Sequence, residues 1–233
     1  MITPLPALPG LSIQSFEPVA RFFMVYTPSR GAAGSGAFRE FLEASYRKRT
    51  LVHLAAGSQV PMLRNSIWLV VRGMVKLGAI TIHGDDLLLG LAGPSEPFGE
   101  PLTDVEAFES RTLCDTDLLC LTLEEICSEP SLSVAMLQAV TKRYRQSQSL
   151  LALMGLRRVE ERVRGFLELL ATEYGQACEQ GLRLDLRLTH QEVASALGTT
   201  RVTVTRVIGL LRQEGWLTLD GQRRLVISHL PPR

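Results

Sequence analysis

The chain has 233 residues, of which 45% are hydrophobic and 21% charged, and its formal net charge is +1. Because this length exceeds the roughly 100 to 150 residues of a typical domain, we expect two domains. The composition excludes a largely disordered chain, and no apolar run approaches the about 18 to 20 residues that a membrane-spanning helix needs.

The first 45 residues predict two short helices, FEPVARFFMVY and AFREFLEASY, with a Gly/Ser-rich loop between them. The opening MITPLPALPGLSIQSF lacks the basic start and unbroken apolar block of a secretory signal, which indicates a cytoplasmic protein. From about Leu51 to about Leu123 the chain consists of short β-rich runs, separated by turn signals such as AAGS and HGDD. Short strands with frequent turns are typical of a β-sandwich or jelly-roll barrel.

A single long helix is predicted from Pro130 to about Gly155, because proline suits a first helical turn and neither Pro nor Gly interrupts the segment before Gly155. One of its faces has heptad spacing, with the polar residue Ser147 among apolar ones. The apolar members of this seam are Leu137, Val140, Tyr144, Leu151 and Met154. The seam indicates a dimer-forming coiled coil, but a helix packed on its own β domain would show the same periodicity over so few turns. A second amphipathic helix, VEERVRGFLELLATEYG, ends at Gly175.

The C-terminal part predicts a helix-turn-helix. Thr189 and Glu192 form a capping box that starts a helix at His190, and Gly198 ends it. A second helix, RVTVTRVIGLLRQE, follows with Thr199 or Thr200 as its cap. Its apolar face consists of Val204, Val207, Ile208 and Leu211.

The residues after this second helix predict a β-hairpin. WLTL and RRLVIS flank Asp220-Gly221, a dipeptide that favours a tight turn, although Gln222 can lengthen the loop. A hairpin after a recognition helix is the wing of a winged helix. The segment 187–233 also carries seven Arg against three acidic residues, so its charge of +4 suits a polyanionic partner.

The exposed face of the second helix has the chemistry for reading DNA. Its centre is Val202 and Arg206, with Arg201 and Thr203 in the first turn. A guanidinium can donate to guanine O6 and N7 together, and a Val or Thr methyl can contact a thymine methyl, so Arg201 and Arg206 are the candidates for direct readout. Polar residues at the helix N-termini are candidates for phosphate contacts: Thr189, His190, Gln191 and Thr200.

The sequence LTHQEVASALGTTRVTVTRVIGLLR resembles the helix-turn-helix of the CRP/FNR superfamily, and within it the nitrogen-regulator subgroup of cyanobacteria. The resemblance covers about Tyr46 to Ile227. It implies an α+β fold in which a cyclic-nucleotide-binding-type β-roll (jelly roll) occupies 1–129, a long dimerisation helix 130–156 and a winged helix-turn-helix 157–233. It also implies a homodimer that binds palindromic double-stranded DNA and contacts RNA polymerase, with no membrane partner.

The sensor region departs from the pattern of the members that bind cyclic AMP. Phe98-Gly99-Glu100 matches the start of the family's phosphate-binding cassette. Counted forward from it, Arg111 lies one residue beyond the position expected for the phosphate-binding Arg, and counted back from the following strand, TLCDTDLLCLT, that position is Phe108. A displacement by one strand residue turns a side chain to the other face of a sheet, so cyclic AMP is not expected to bind.

The nitrogen-regulator subgroup suggests a different effector. Its members bind 2-oxoglutarate with a Phe-Gly turn and two Arg, which Phe98-Gly99, Arg111 and Arg143 resemble. Two Arg can hold a dicarboxylate bidentately. We therefore expect either 2-oxoglutarate or another small anion, coupled to the seam at Ser147, or a degenerate sensor that takes no ligand.

Other classes of function find little support. An architectural binder would use Lys-rich phosphate contacts, and the second helix contains no Lys. No nucleophile, phosphate-loop or helical metal motif indicates an enzyme. The cysteines have neither CxxC nor ferredoxin-type spacing, so we expect no metal, and buried reduced thiols at Cys114, Cys120, Cys127 and Cys178.

Overall fold

The computed structural model describes residues 51–82, 84, 86–186 and 188–228. They belong to one compact unit, Ala32–Arg233. The two helices predicted within the first 45 residues lie outside the described residues. Within the described ranges, no helix combines the length and the apolar character needed to cross a membrane.

The β-rich runs form a β-roll of two antiparallel sheets, which confirms the jelly-roll prediction. One sheet has the order β1-β7-β2-β5 and the other the order β4-β3-β6. A short 3-10 helix, Glu100–Leu102, follows β5. The strands are β1 (Val52–Leu54), β2 (Ser66–Arg72), β3 (Val75–Ile80), β4 (Asp86–Ala92), β5 (Pro97–Phe98), β6 (Phe108–Thr112) and β7 (Thr116–Thr122).

Strand β2 is buried on both faces, which explains its continuous apolar sequence. Trp68 and Val70 belong to the core of the β-roll, together with Phe98 of β5. Their neighbours Ile67 and Leu69 belong to a second core, which two helices form on the other side of the sheet. These helices are α1 (Leu123–Ser128), which the sequence did not reveal, and α2 (Pro130–Met154), which was predicted within one residue.

Helix α2 carries two stripes at heptad spacing, of which one packs on its own β-roll and the other, the predicted seam, is largely exposed. Leu132, Ala139, Gln146 and Leu153 recur every seventh residue and are buried. The predicted seam is offset from this stripe by five residues, or roughly 140° around the helix. Its residues Leu137, Tyr144 and Leu151 are 64–68% exposed.

The C-terminal third is a winged helix-turn-helix, as predicted. Its helices are α3 (Val159–Tyr174), α4 (His190–Ala196) and α5 (Arg201–Gln213). Its sheet has the order β10-β11-β9-β8, in which β10 (Leu217–Leu219) and β11 (Leu225–Ile227) form the wing. The strands β8 (Gln176–Cys178) and β9 (Gly181–Leu184) were not predicted, because three or four residues are too short for a periodic signal.

The wing turn is longer than a two-residue turn, as Gln222 suggested. Asp220 organises it, because its Oδ1 accepts hydrogen bonds from the backbone N–H groups of Gln222 (2.9 Å) and Arg224 (2.8 Å). The residue with positive φ is Arg223 (61°) rather than Gly221. The side chain of Asp220 therefore sets the turn.

The expectation of buried thiols was wrong for two of the four cysteines. Cys114 lies exposed in the turn between β6 and β7, and Cys127 is exposed near the end of α1. Cys120 and Cys178 are partly buried. Both exposed positions lie at the periphery of the β-roll, outside its two cores.

Candidate functional site

The two helices of the helix-turn-helix begin at the predicted caps. The Thr189 Oγ1 accepts from the Glu192 N–H (3.1 Å), and the Glu192 carboxylate accepts from the Thr189 N–H (2.6 Å), which completes the capping box. At α5 the cap is Thr200, whose Oγ1 accepts from the Thr203 N–H (3.2 Å). These bonds satisfy N–H groups that each helix start would otherwise leave without a partner.

The turn between α4 and α5 is fixed from two sides. Gly198 has φ +57°, a conformation that other residues adopt at a cost. The guanidinium of Arg162 in α3 donates to the Leu197 carbonyl (3.0 Å), so α3 holds the turn directly. The turn of the helix-turn-helix is therefore hydrogen-bonded directly to α3.

Helix α5 presents the readout face to solvent, as predicted. Its apolar residues Val204, Val207, Ile208 and Leu211 are buried in the module. Arg201, Val202 and Arg206 are exposed on the other side, Val202 by 78%. A helix held by its buried face while two Arg and a Val project outward has the geometry of a recognition helix.

An acid that the sequence analysis missed accompanies Arg206. The Glu160 carboxylate, in the first turn of α3, lies 3.6 Å from Arg206 Nη2, and both side chains are more than half exposed. Glu160 could not be linked to Arg206 from the sequence, because only the packing of α3 against α5 brings them together. The carboxylate places a negative charge beside Arg206, one of the two predicted readout residues.

The candidates for phosphate contacts are already engaged within the module. The hydroxyls of Thr189 and Thr200 cap their helices, and the Thr203 hydroxyl lies 2.9 Å from that of Thr200. His190 Nδ1 lies 2.8 Å from Thr205 Oγ1 and thereby joins α4 to α5. Gln191 is exposed and contacts only Ser195 within the described residues (3.5 Å).

The predicted sensor residues are not arranged as a clamp for an anion. Phe98 and Gly99 are buried, whereas Glu100 is exposed at the start of the 3-10 helix. Arg111 is exposed on β6, and its guanidinium donates to the Gly57 carbonyl (3.1 Å). Phe108 packs against the β-roll core, as expected for a residue three positions before an outward-facing Arg in the same strand.

Arg143 is engaged elsewhere. Its guanidinium donates to the Leu91 carbonyl of β4 and to Gln146 Oε1 (2.6 Å). Ser147, the proposed coupling residue, is only half-buried, whereas its neighbour Gln146 is 3% exposed. The buried polar residue of α2 that makes hydrogen bonds is therefore Gln146, one position before the predicted Ser147. The recurrence of Gln146 seven residues after Ala139 and before Leu153 could have revealed it.

The predicted dimer residues divide between two environments. Leu137, Tyr144 and Leu151 are solvent-exposed. Val140 is partly buried against the core that α2 forms with its own β-roll, because it lies between the two stripes. Met154 is partly exposed, and its methyl lies near the turn glycine Gly198.

Comparison with known proteins agrees with this architecture. Residues 161–231 match the Crp-like helix-turn-helix domain. The regulatory protein CysR of Synechococcus elongatus is 33% identical over 159 residues, which are 67% of this chain and 73% of that protein. The global nitrogen regulator of Nostoc is 26% identical over 206 residues, 84% of this chain and 89% of that regulator.

A solved structure shows the same fold. TTHA1359, a transcriptional regulator of the CRP/FNR family from Thermus thermophilus, is 26% identical, with a TM-score of 0.62 over 78% of this chain and 94% of that one. Its agreement extends across both the β-roll and the winged helix. The chain therefore belongs to the CRP/FNR family of transcription regulators, as a DNA-binding regulator with a cyclic-nucleotide-binding-like domain.

Proposed function

We propose that the chain acts as a homodimer that binds a palindromic site in double-stranded DNA. The observation that carries this proposal is α5, which exposes Arg201, Val202 and Arg206 while its opposite face is buried. Family members bind DNA as dimers, and two identical recognition helices suit two half-sites that are related by a twofold axis.

Within each half-site we assign direct readout to Arg201 and Arg206. A bidentate guanidinium selects guanine, and the Val202 side chain suits a thymine methyl. Thr203 stands in the same first turn. The backbone N–H groups at the capped starts of α4 and α5, with Gln191 and His190 beside them, suit phosphate contacts that fix the register.

The dimer contact that we propose is the exposed stripe of α2. Leu137, Tyr144 and Leu151 present large apolar side chains at heptad spacing to solvent, which a monomer rarely tolerates over such a length. Met154 lies at the end of this stripe, and Val140 flanks it. Two copies of α2 packed along this stripe would place the two winged helices in one assembly.

The contacts within the β-roll favour DNA binding without an effector over a sensor that binds an anion. Both Arg that would clamp 2-oxoglutarate donate to backbone carbonyls, Arg111 to Gly57 and Arg143 to Leu91. An effector would have to compete with these bonds for each guanidinium. We propose that DNA binding requires neither 2-oxoglutarate nor cyclic AMP.

We further propose that the chain contacts RNA polymerase on DNA. Nitrogen-control genes are the proposed targets, because the chain is similar to a global nitrogen regulator.

Selection of bound duplexes from a random pool tests the proposal. The expected result is a palindrome with a guanine in each half-site. Selection with the Arg206→Ala protein should give a consensus that lacks this guanine. An enriched pool without twofold symmetry would contradict the dimeric readout. Repeating the selected-site titration with 2-oxoglutarate or cyclic AMP should leave the Kd unchanged, and a tighter Kd with either compound would restore the anion-sensor interpretation.

A further inference from the structure

The edge of the β-roll is bound by side chains from two helices. Strand β4 lies at the edge of its three-stranded sheet, where backbone groups lack a neighbouring strand. The Leu91 N–H donates to Gln146 Oε1 of α2 (3.0 Å). The Leu91 carbonyl accepts from Arg143 of α2 and lies 3.0 Å from the Tyr174 hydroxyl of α3. Side chains from two helices therefore meet at the backbone of one residue of the sensor, Leu91.

Gln146 is the centre of this arrangement. Its carboxamide is buried, and each end has two partners. The Oε1 accepts from Leu91 and Arg143, and the Nε2 donates to the Tyr174 hydroxyl (2.6 Å) and to the Glu173 carboxylate. A buried carboxamide that loses these partners would pay the desolvation cost of each unpaired group, so the four bonds hold their elements together.

Tyr174 extends the contact to a buried acid of the β-roll. Its hydroxyl lies 2.8 Å from Glu96 Oε2, which also accepts from the Gly93 N–H (2.8 Å). Glu96 is 1% exposed, and the Lys142 ammonium of α2 lies 2.5 Å from its Oε1. Burial, followed by the charges of Glu96 and Glu173, raises the pKa of Tyr174 well above its usual value, so the phenol remains a donor. The hydroxyl has one proton to donate, and the charged carboxylate of Glu96 is a stronger acceptor for it than the Leu91 carbonyl.

The turn after β4 leaves room for the Tyr174 ring. A Cβ at Gly93 would lie 2.7 Å from Tyr174 Cε1, so the ring reaches the β-roll only because position 93 is glycine. Tyr174 is also the last residue of α3, the helix whose Arg162 fixes the helix-turn-helix through Leu197. Helix α3 therefore connects the β-roll, through Tyr174, to the turn of the helix-turn-helix, through Arg162.

We propose that Gln146, Tyr174 and Glu96 form an interdomain latch, which sets the orientation of the winged helix relative to the β-roll and α2. The recognition face is exposed in this structure, and the closed latch holds it in the orientation that binds DNA. When the latch opens, the winged helix keeps its own surface but loses its fixed position. For the DNA consequence this inference rests on the proposed binding to two half-sites.

The Tyr174→Phe variant tests the latch, because it removes the hydroxyl and keeps the ring. Orientation matters only when two half-sites are bound together, so the Kd for a full palindrome should rise about tenfold while the Kd for a single half-site stays the same. An equal loss on both DNAs, an unchanged palindrome Kd or a tighter one would overturn the latch.

Amide hydrogen exchange provides a readout that does not depend on DNA. The Leu91 amide should exchange faster in the Gln146→Ala variant, which lacks the acceptor of its hydrogen bond. Its exchange rate should stay the same in the control variant Gln148→Ala, because Gln148 is an exposed glutamine on the same helix. Tyr174→Phe should also speed exchange at residues 155–158, between α2 and α3. Unchanged exchange in both variants would overturn the latch. If the wild-type protein does not prefer a palindrome but these exchange rates rise, the proposed function fails and the latch stands.

Discussion

Arg201 and Arg206 differ in their surroundings although both project from α5. Arg201 is exposed in the first turn, whereas Arg206 faces the carboxylate of Glu160. Each guanidinium can make a bidentate contact with guanine, which discriminates against other bases by about 1 to 3 kcal/mol. The proposed readout therefore depends on single residues, and one of them has an acidic neighbour on another helix.

For the alanine variants, we expect Arg201→Ala and Arg206→Ala each to cost about 1 to 3 kcal/mol on the selected site and to relax base preference at one position. Binding titrations against a set of single-base variants measure both effects. An equal loss on every sequence would show that the residue contacts phosphate instead.

Glu160→Gln separates orientation from charge. An exposed ion pair contributes only about 0 to 1 kcal/mol to stability, so the fold should be little affected. Removing a negative charge beside DNA should strengthen binding to all sequences, and releasing Arg206 should reduce discrimination at its base. The same titrations measure this change, and unaltered discrimination would show that Glu160 does not position Arg206.

Glu168 is a titrating residue within α3. Burial raises the pKa of its carboxyl from 4.5 to about 7, and the charge of Arg164, 3.7 Å away, opposes the rise. The folded chain therefore binds this proton more tightly than the unfolded chain. The resulting stabilisation is fully present below about pH 4.5 and is lost as the pH rises through about 7.

For Glu168→Gln we accordingly expect higher stability than the wild type at pH 8, by about 1 to 3 kcal/mol, and no difference near pH 4.5. Urea unfolding at several pH values measures this. Glu160→Gln, on the exposed end of the same helix, is the control and should stay within about 0.5 kcal/mol at each pH. A Glu168→Gln difference that is constant with pH would contradict the burial argument.

At the scale of elements, α2 serves two surfaces. Its buried stripe packs on the β-roll and contains Gln146, and its exposed stripe contains Leu137, Tyr144 and Leu151. The heptad pattern revealed a helix with an apolar seam but could not tell the two stripes apart. Only the position of the β-roll decides which stripe is covered.

Substitution of the exposed stripe tests its role. Leu151→Asp should give a monomer that no longer binds the palindrome, because the dimer would bury a charge between the two copies of α2. Ala152→Asp, which places the same charge at an exposed neighbouring position, should remain dimeric. Sedimentation of both variants measures the mass, and a dimeric Leu151→Asp protein would remove the stripe from the interface.

At the scale of the whole molecule, the proposed dimer would bind DNA only if its two recognition helices are the right distance apart. Paired half-sites must be about 34 Å apart, or one turn of DNA, for two such helices to enter successive major grooves on one face. The latch and the exposed stripe of α2 together would hold this distance. Neither element contacts DNA in such an assembly, yet both would determine affinity.

Changing the spacer between half-sites tests this geometry. An insertion of five base pairs rotates one half-site by about half a turn, so affinity should fall to that of a single half-site. An insertion of ten base pairs restores the face but not the distance, and a rigid dimer should still bind it weakly. Equal affinity for all spacers would show that the winged helices move independently of each other.

The sequence by itself determined the local structure of this protein. The capping box of α4, the glycine turn, the apolar face of α5 and the run of β2 depend on neighbours within a few residues, and these were predicted correctly. Only the tertiary structure decided which polar residues meet. Glu160 beside Arg206, and Gln146 with Tyr174 and Glu96, join residues 28 to 78 positions apart. No local periodicity encodes such pairs, because they arise when whole elements pack.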